Sequence, residues 1–325
     1  MKPTFVSCLI VAATLAAMPA QAQMNFFPEE LIVNASILNL RDRPDLSGKV
    51  VEKLPRGAAL TLVEIVNEGQ FVEVDSVFGA WLKVQYKNKN GYVFSPHVTG
   101  KYNLYQDGDF FNDALPDMNW YGVYVRDSFA DEMRKIEVRL VEEYSDFFME
   151  NMKILKTNQK DTAKFIIGSA TPLRPGFAGN LGLFDPGSVY LSNDLAPGAM
   201  LPVFAGQEPD DTTVTPTYFL AAVGCAQFES SDYVQVSGYR LYVLELNTDT
   251  PAVRQDITGW VQPAEGMSPT VRLIWYGDLD SDRKPDVLLQ DSPYEAGARL
   301  SLFLSSKARP GEYLHKVCEY FYPID

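Results

Sequence analysis

Short apolar runs recur along most of the chain, and many of them alternate apolar with polar positions. Between residues 31 and 100 such runs lie at 31–35, 50–54, 59–66, 71–74, 81–86 and 91–94. A period of two is typical of a strand with one buried face. Turn-forming residues separate the runs, as at Pro55-Arg56-Gly57 and Asn88-Lys89-Asn90-Gly91. This pattern predicts a small antiparallel barrel or sandwich.

Residues 101–325 carry the same kind of pattern over a longer stretch. Strand-like runs lie at 120–126, 218–223, 239–246, 271–276, 287–289 and 300–304. The segment 129–148 is ambiguous, because residues 134–142 alternate like a strand while the whole segment also fits an amphipathic helix. We therefore expect a mainly β protein, with a larger β-rich domain over residues 101–325 and a boundary near Gly100.

Three stretches within the first 100 residues resemble the bacterial SH3-like family. They are LNLRDRP at 38–44, LPRG at 54–57, and WLKV at 81–84 followed by NGYV at 90–93. The resemblance implies a small SH3-like barrel over residues 31–100. Members of that family commonly bind cell-wall peptides or act as targeting modules, so the resemblance implies binding rather than catalysis.

Aromatic residues in these strands are candidates for a peptide groove. Trp81, Tyr86 and Tyr92 could offer flat apolar surface to an extended peptide. Aromatic residues that alternate along strands also fill ordinary cores. The sequence leaves both interpretations open.

Composition and charge narrow the possible partners. The chain has 325 residues, of which 46% are apolar, so it can bury a sizeable core. Its 28 Lys and Arg residues against 42 Asp and Glu residues give a formal net charge of −14. With no basic run, a phosphate backbone would be repelled, so we expect no nucleic-acid partner. His97 and His315 are the only histidines, which leaves little room for His-based catalysis or multi-His metal sites.

Residues 1–22 have the pattern of a secretory signal peptide. Lys2 precedes a short apolar stretch at 5–18, and Ala20-Gln21-Ala22 forms a small-residue cleavage site. No later segment has the roughly 18 uninterrupted apolar residues of a transmembrane helix. We expect an exported protein, periplasmic or secreted, with no transmembrane segment.

Removal of the signal peptide would leave two cysteines, Cys225 and Cys318. An even number in an oxidising compartment favours a disulfide between them. The alternative is two thiols that the fold holds too far apart to pair.

One loop has the composition of a metal site. Asp278, Asp280, Asp282 and Asp286 occupy loop positions 1, 3, 5 and 9, and the backbone carbonyl of Lys284 would add a ligand at position 7. Calcium takes six to eight oxygen ligands, and alternate positions in a tight loop turn toward one centre. The sequence therefore predicts a calcium site over residues 278–286, with a solvated acidic turn as the alternative.

The loop is not an EF-hand. Leu289 stands at position 12, where an EF-hand has a bidentate Glu, and Arg283 stands at position 6, where it has Gly. The stretch instead resembles the calcium loops of FG-GAP and related β-rich repeats, and the same four aspartates map onto that pattern's side-chain ligands. Arg283 replaces a glycine there, so it must adopt an unfavourable backbone conformation or the loop must open. A structural role for the ion is expected.

Two functions fit these features. The first is an exported, non-enzymatic binding or scaffold protein with an SH3-like module for a peptide or cell-wall component and a structural calcium loop. The second is a cell-wall hydrolase that the SH3-like module targets. His315 and Cys318 could supply a Cys–His pair for the second function, although no motif around either residue would activate the thiol.

Overall fold

The computed structural model describes residues 27–111, 115–127, 130–145, 150–179, 194–203, 218–228, 234–246, 251–261, 271–294 and 297–323. Strands account for 63% of the described residues and helices for 4%, and the strands form several antiparallel sheets. The predicted signal peptide, residues 1–22, lies outside the described part of the chain. Among the described residues, no helix has the length and apolar character needed to cross a membrane.

The first sheet has seven strands in the order β3-β2-β8-β7-β4-β1-β9. The strands of this N-terminal part, including the separate hairpin β5-β6, are β1 (Glu30–Val33), β2 (Ile37–Arg41), β3 (Val50–Pro55), β4 (Ala59–Ile65), β5 (Val72–Val74), β6 (Val77–Gly79), β7 (Trp81–Tyr86), β8 (Lys89–Phe94) and β9 (Val98–Gly100). Alternate residues such as Leu38, Leu40, Leu82 and Val84 are buried and form one core cluster. Short 3-10 helices lie at Val66–Gly69 and Ser95–His97.

A five-stranded and a three-stranded sheet follow, in the orders β10-β16-β12-β13-β17 and β11-β15-β14. Their strands are β10 (Tyr102–Tyr105), β11 (Phe110–Phe111), β12 (Asn119–Asp127), β13 (Ala130–Lys135), β14 (Val138–Ser145), β15 (Glu150–Thr157), β16 (Phe165–Ser169) and β17 (Gly176–Gly179). The described part of the ambiguous segment 129–148 is therefore extended. The pairing of β13 with β12 and of β14 with β15 stabilises strands rather than the amphipathic helix that the sequence also allowed.

Two four-stranded sheets complete the described chain, in the orders β18-β19-β20-β21 and β22-β23-β24-β25. Their strands are β18 (Met200–Val203), β19 (Tyr218–Phe228), β20 (Val234–Leu246), β21 (Pro251–Asp256), β22 (Arg272–Gly277), β23 (Asp286–Tyr294), β24 (Gly297–Leu304) and β25 (His315–Pro323). A 3-10 helix lies at Thr258–Trp260. The mainly β prediction is confirmed.

The sheet β22-β25 is covered on both faces. Trp275 packs on one side with Phe165 of β16, their ring centroids 5.7 Å apart, within a cluster that also holds Leu302. Tyr276 and Phe303 point into a second cluster, which the sheet shares with β18-β21. Because both faces are buried, the strands of this sheet have long apolar runs. The positions of these strands could therefore be predicted from the sequence.

The disulfide expected from the sequence is not formed in this structure, where Cys225 and Cys318 are both free. Cys225 lies on β19 and is exposed, while Cys318 lies on β25 and is buried in the cluster around Trp275. The two thiols thus belong to different sheets and different surroundings. Spacing along the chain carried no information about that separation.

The boundary predicted near Gly100 stays a prediction. Gly100 ends β9 in the first sheet and Tyr102 begins β10 in the next. Ion pairs also connect the two parts, as between Glu30 and Lys307, whose charged atoms lie 3.0 Å apart.

Candidate functional site

The acidic loop connects β22 to β23, and the pairing of Gly277 with Asp286 closes it. Two residues inside the loop, Ser281 and Arg283, adopt left-handed backbone conformations with φ of 65° and 67°. Arg283 therefore takes the conformation that the glycine of the related loops would take without strain. Such a conformation costs a non-glycine residue on the order of 1–2 kcal/mol, so other contacts in the loop must hold it.

Three of the predicted ligands converge. Asp278, Asp280 and Asp286 each offer one carboxylate oxygen within 4.8 Å of the others. Asp282 is not part of this cluster. Its Oδ1 accepts the backbone N–H of Lys284 at 2.8 Å, and both of its carboxylate oxygens lie 3.2 Å from the hydroxyl of Ser305. Lys284 contacts the loop through that N–H.

The carboxylates of Asp278 and Asp286 also hold the loop together. Asp278 accepts the backbone N–H groups of Asp282 at 3.1 Å and Arg283 at 2.9 Å. Asp286 is fully buried and accepts the N–H of Leu279 at 2.8 Å. It also accepts the N–H of Ser305 at 2.8 Å and the hydroxyl of Ser305 at 3.0 Å. These bonds fix the turn that brings the acidic side chains to one place.

Asp280 differs from the other aspartates of the loop because one of its carboxylate oxygens is buried without a hydrogen-bond partner. Its Oδ1 is buried and has no hydrogen-bond partner, whereas its Oδ2 accepts the hydroxyl of Ser306. Burial, with the negative charges of Asp282 and Asp278, raises the pKa of Asp280. Burial, with the charge of Asp280, holds the pKa of Asp286 well above its ordinary value. Burial and like charges therefore dominate the electrostatics of these two carboxylates.

These residues fit a hard divalent cation. A buried carboxylate oxygen without a partner costs free energy, and a cation at the centre of the cluster would satisfy it and screen the repulsion. Carboxylate and hydroxyl oxygens are also the ligand type that calcium prefers. Ser305 and Ser306, which support the cluster from the end of β24, were missed in the sequence because strand pairing alone brings them to the loop.

A second candidate site is a cleft of about 280 Å³ in the N-terminal part of the chain. Its apolar lining includes Ile37, Leu38, Leu46, Val77, Trp81 and Phe94, and its polar lining includes Arg41, Asp75 and His97. The rings of Trp81 and Phe94 are 5.4 Å apart and form one wall. Three of the apolar side chains are well exposed: Ile37 by 64%, Leu46 by 49% and Val77 by 42%.

Of the three groove candidates from the sequence, the structure brings only Trp81 to this cleft. Tyr86 packs partly buried against the core of the domain, with the ammonium of Lys87 4.9 Å from its ring centre. Tyr92 is half-buried on β8 and does not line the cleft. The sequence did not predict the cleft residues Ile37, Leu46 and Val77, because no sequence pattern distinguishes an exposed aliphatic residue from a buried one in a short strand or turn.

His315 and Cys318 lie in different surroundings. His315 contacts Glu312 at 2.9 Å and Glu29 at 3.7 Å, and its ring packs edge-on against Trp260. Burial raises the pKa of the Cys318 thiol far above its ordinary value, so the thiolate needed for nucleophilic attack is disfavoured.

One family model matches the N-terminal part of the chain. A search of curated proteins finds no match to the chain. Residues 36–99, which contain all but one of the residues that line the N-terminal cleft and most of the seven-stranded sheet, match the model of the bacterial SH3 domain.

Proposed function

We propose that the protein is an exported, non-enzymatic binding protein whose bacterial SH3 domain holds a peptide or a cell-wall component in the cleft beside Trp81. The observation that carries the proposal is the exposed apolar lining of that cleft. Apolar side chains that stay in solvent next to a concave surface mark interaction sites. Arg41 and Asp75 at the same cleft can fix the polar backbone of an extended ligand.

Co-sedimentation of the chain lacking residues 1–22 with purified peptidoglycan tests this proposal. Ile37→Asp places a charge in the apolar lining and is expected to lower the bound fraction at least tenfold. Val63→Asp is the matched control, because Val63 is 52% exposed on β4 and does not line the cleft. Unchanged binding by Ile37→Asp would overturn the assignment of the cleft. Clearing of peptidoglycan by the pure protein would favour the alternative, a cell-wall hydrolase targeted by the SH3 domain.

The acidic loop is proposed to hold one structural calcium ion through Asp278, Asp280 and Asp286. The partnerless Oδ1 of Asp280 supports this proposal, because Asp280 belongs to a cluster of three carboxylates of like charge. An ion there would connect the β22-β23 turn to the end of β24 through Asp286 and Ser305. In this proposal, Asp282 and the carbonyl of Lys284 complete the set of oxygen ligands.

Calorimetric titration with calcium tests the loop. We expect saturable binding at one site by the chain lacking residues 1–22, and loss of that binding in Asp280→Asn. Asp117→Asn removes an exposed carboxylate outside the loop and is the matched control. Absence of binding heat and of any thermal shift would favour a solvated acidic turn instead.

Export is part of the same proposal and rests on the pattern of residues 1–22. Expression of the full chain in a bacterium, followed by N-terminal sequencing of the protein recovered outside the cytoplasm, tests it. The expected first residue is Gln23. Recovery of an uncleaved chain from the cytoplasm would contradict it.

A further inference from the structure

A third concave site lies away from the SH3 domain, between the sheets β18-β21 and β22-β25. It is a cleft of about 260 Å³. Its apolar lining includes Val203, Val243, Pro285 and Leu314, and the rings of Tyr218 and Tyr313 stand beside them. Clefts that hold larger organic ligands measure about 300–1,000 Å³, so this one suits a ligand of a single ring.

The aromatic part of the cleft is held in place by a buried carboxylate and its hydrogen-bond donors. The rings of Tyr218 and Tyr313 lie 5.2 Å apart and are tilted by 55°. The Tyr313 hydroxyl donates to Glu245 at 3.1 Å, and Arg254 donates to the same carboxylate oxygen at 2.7 Å. Glu245 is only 8% exposed. The orientation of the Tyr313 ring is therefore fixed before any ligand arrives.

The backbone beside Tyr313 is fixed as well. Gln255 on β21 accepts the N–H of Tyr313 at 2.8 Å and the N–H of Leu314 at 2.9 Å. Its side-chain amide donates to the carbonyl of Leu314 at 2.8 Å. One glutamine thus replaces the strand pairing that this segment lacks. A preorganised wall lowers the entropic cost of binding.

Polar groups of opposite character stand at the same cleft. Lys284 lines the cleft and is an exposed residue, so its ammonium can act as a donor there. Glu312 brings a carboxylate acceptor, which already contacts His315. This mixture disfavours a strongly ionic ligand, because either sign of charge would meet repulsion. It favours a neutral ligand whose groups both donate and accept hydrogen bonds.

We propose that this cleft binds one neutral sugar ring, with its apolar C–H face on Tyr218 and Tyr313 and its hydroxyl groups toward Lys284 and Glu312. A pyranose combines an apolar face with hydroxyls that donate and accept. The site is separate from the SH3 cleft, and the inference does not depend on the function proposed for that domain. Lys284 and Pro285 also belong to the acidic loop, so the binding measurements are made both with calcium and with a chelator.

Saturation-transfer NMR tests the proposal, with glucose, galactose and N-acetylglucosamine as probes and the chain lacking residues 1–22. We expect transfer to at least one sugar in one of the two conditions, with a dissociation constant on the order of 1 mM for so small a ligand. Lys284→Gln is expected to weaken binding at least threefold. Arg283→Gln is the matched control, because it removes a charge from the neighbouring residue, which does not line the cleft.

A second measurement keeps the test independent of any single variant. Backbone amide shifts on titration with the sugar are expected at Tyr313 and Leu314 and at their partner Gln255. Absence of transfer from all three sugars, or shifts confined to other parts of the protein, would overturn the proposal. Equal binding by Lys284→Gln and the parent chain would overturn the role of the ammonium.

Discussion

Glu30 and Lys307 are bound to each other across 277 positions of sequence, with the carboxylate oxygen 3.0 Å from the ammonium nitrogen. Glu30 begins the first strand of the seven-stranded sheet, and Lys307 follows β24. Lys101 contacts the same carboxylate at 3.2 Å, and Glu29 beside it pairs with Arg309. The SH3 region is therefore tied to the C-terminal sheet by a small network of charges rather than by the chain connection alone.

This network predicts a pH-dependent stability. Burial alone would raise the pKa of Glu30, but the hydrogen bonds and charges of Lys307 and Lys101 outweigh it and lower the pKa below 4.5. The folded state therefore binds fewer protons than the unfolded state, and the stabilisation is present above pH 4.5 and lost as the pH falls through the folded pKa. Because both side chains are partly exposed, its size is about 0.5 kcal/mol.

Urea unfolding of Glu30→Gln and of the parent chain between pH 7 and pH 3 measures the effect. The variant is expected to be less stable at pH 7, and the difference is expected to vanish at acidic pH. Glu73→Gln, at an exposed position on β5, is the control and should follow the parent chain throughout. A constant difference at all pH values would show that the charge of Glu30 is not the cause.

The hydrogen bonds of Ser305 are expected to stabilise the acidic loop. Its hydroxyl lies 3.0 Å from Asp286 and 3.2 Å from Asp282, and it is buried. Ser305→Ala removes this donor from two carboxylates and is expected to lower the free energy of unfolding by about 1–2 kcal/mol. Ser306→Ala removes a hydroxyl that donates to Asp280, but Ser306 is an exposed residue and bonds only one carboxylate, so its cost should be smaller, at about 0.5–1 kcal/mol.

Chemical denaturation of both serine variants, in calcium and in chelator, gives the comparison. The order of the two costs is the critical outcome. If Ser306→Ala were the more costly substitution, the hydrogen bonds of Ser305 would not be what holds the loop to β24.

A substitution in the core is expected to lower the free energy of unfolding the most. Trp275 is fully buried, and its ring packs against Phe165 of the neighbouring sheet. Trp275→Ala leaves a cavity between the two sheets and is expected to cost about 3–5 kcal/mol. Phe78→Ala, at a side chain that is 67% exposed, should change the free energy of unfolding by less than about 0.5 kcal/mol. Equal denaturation midpoints for the two variants would contradict the packing described for Trp275.

Local patterns in the sequence predicted more of the fold than of the sites. The strand at Trp81–Tyr86 has the predicted bounds, because its alternation and its flanking turn residues are local signals. The spacing of the aspartates likewise indicated the loop where Asp278, Asp280 and Asp286 meet. Ser305, Gln255 and Glu245 gave no such signal. Gln255 and Glu245 act on Tyr313, which lies 58 or more residues further along the chain. Ser305 meets Asp286 only because β23 and β24 pair.

Local sequence patterns likewise did not indicate that Cys225 and Cys318 are unpaired. The two thiols allow a direct chemical test. In the chain lacking residues 1–22, the exposed thiol of Cys225 is expected to react with a thiol reagent in the native protein. Cys318 is buried, and burial raises the pKa of its thiol, so it should react only after unfolding. A thiol titration should therefore count one reactive group in buffer and two in guanidinium. Cys225→Ser should leave none in buffer and one in guanidinium. A count of zero for the parent chain in guanidinium would instead require a Cys225–Cys318 disulfide, and the packing of β19 and β25 would then differ from that described.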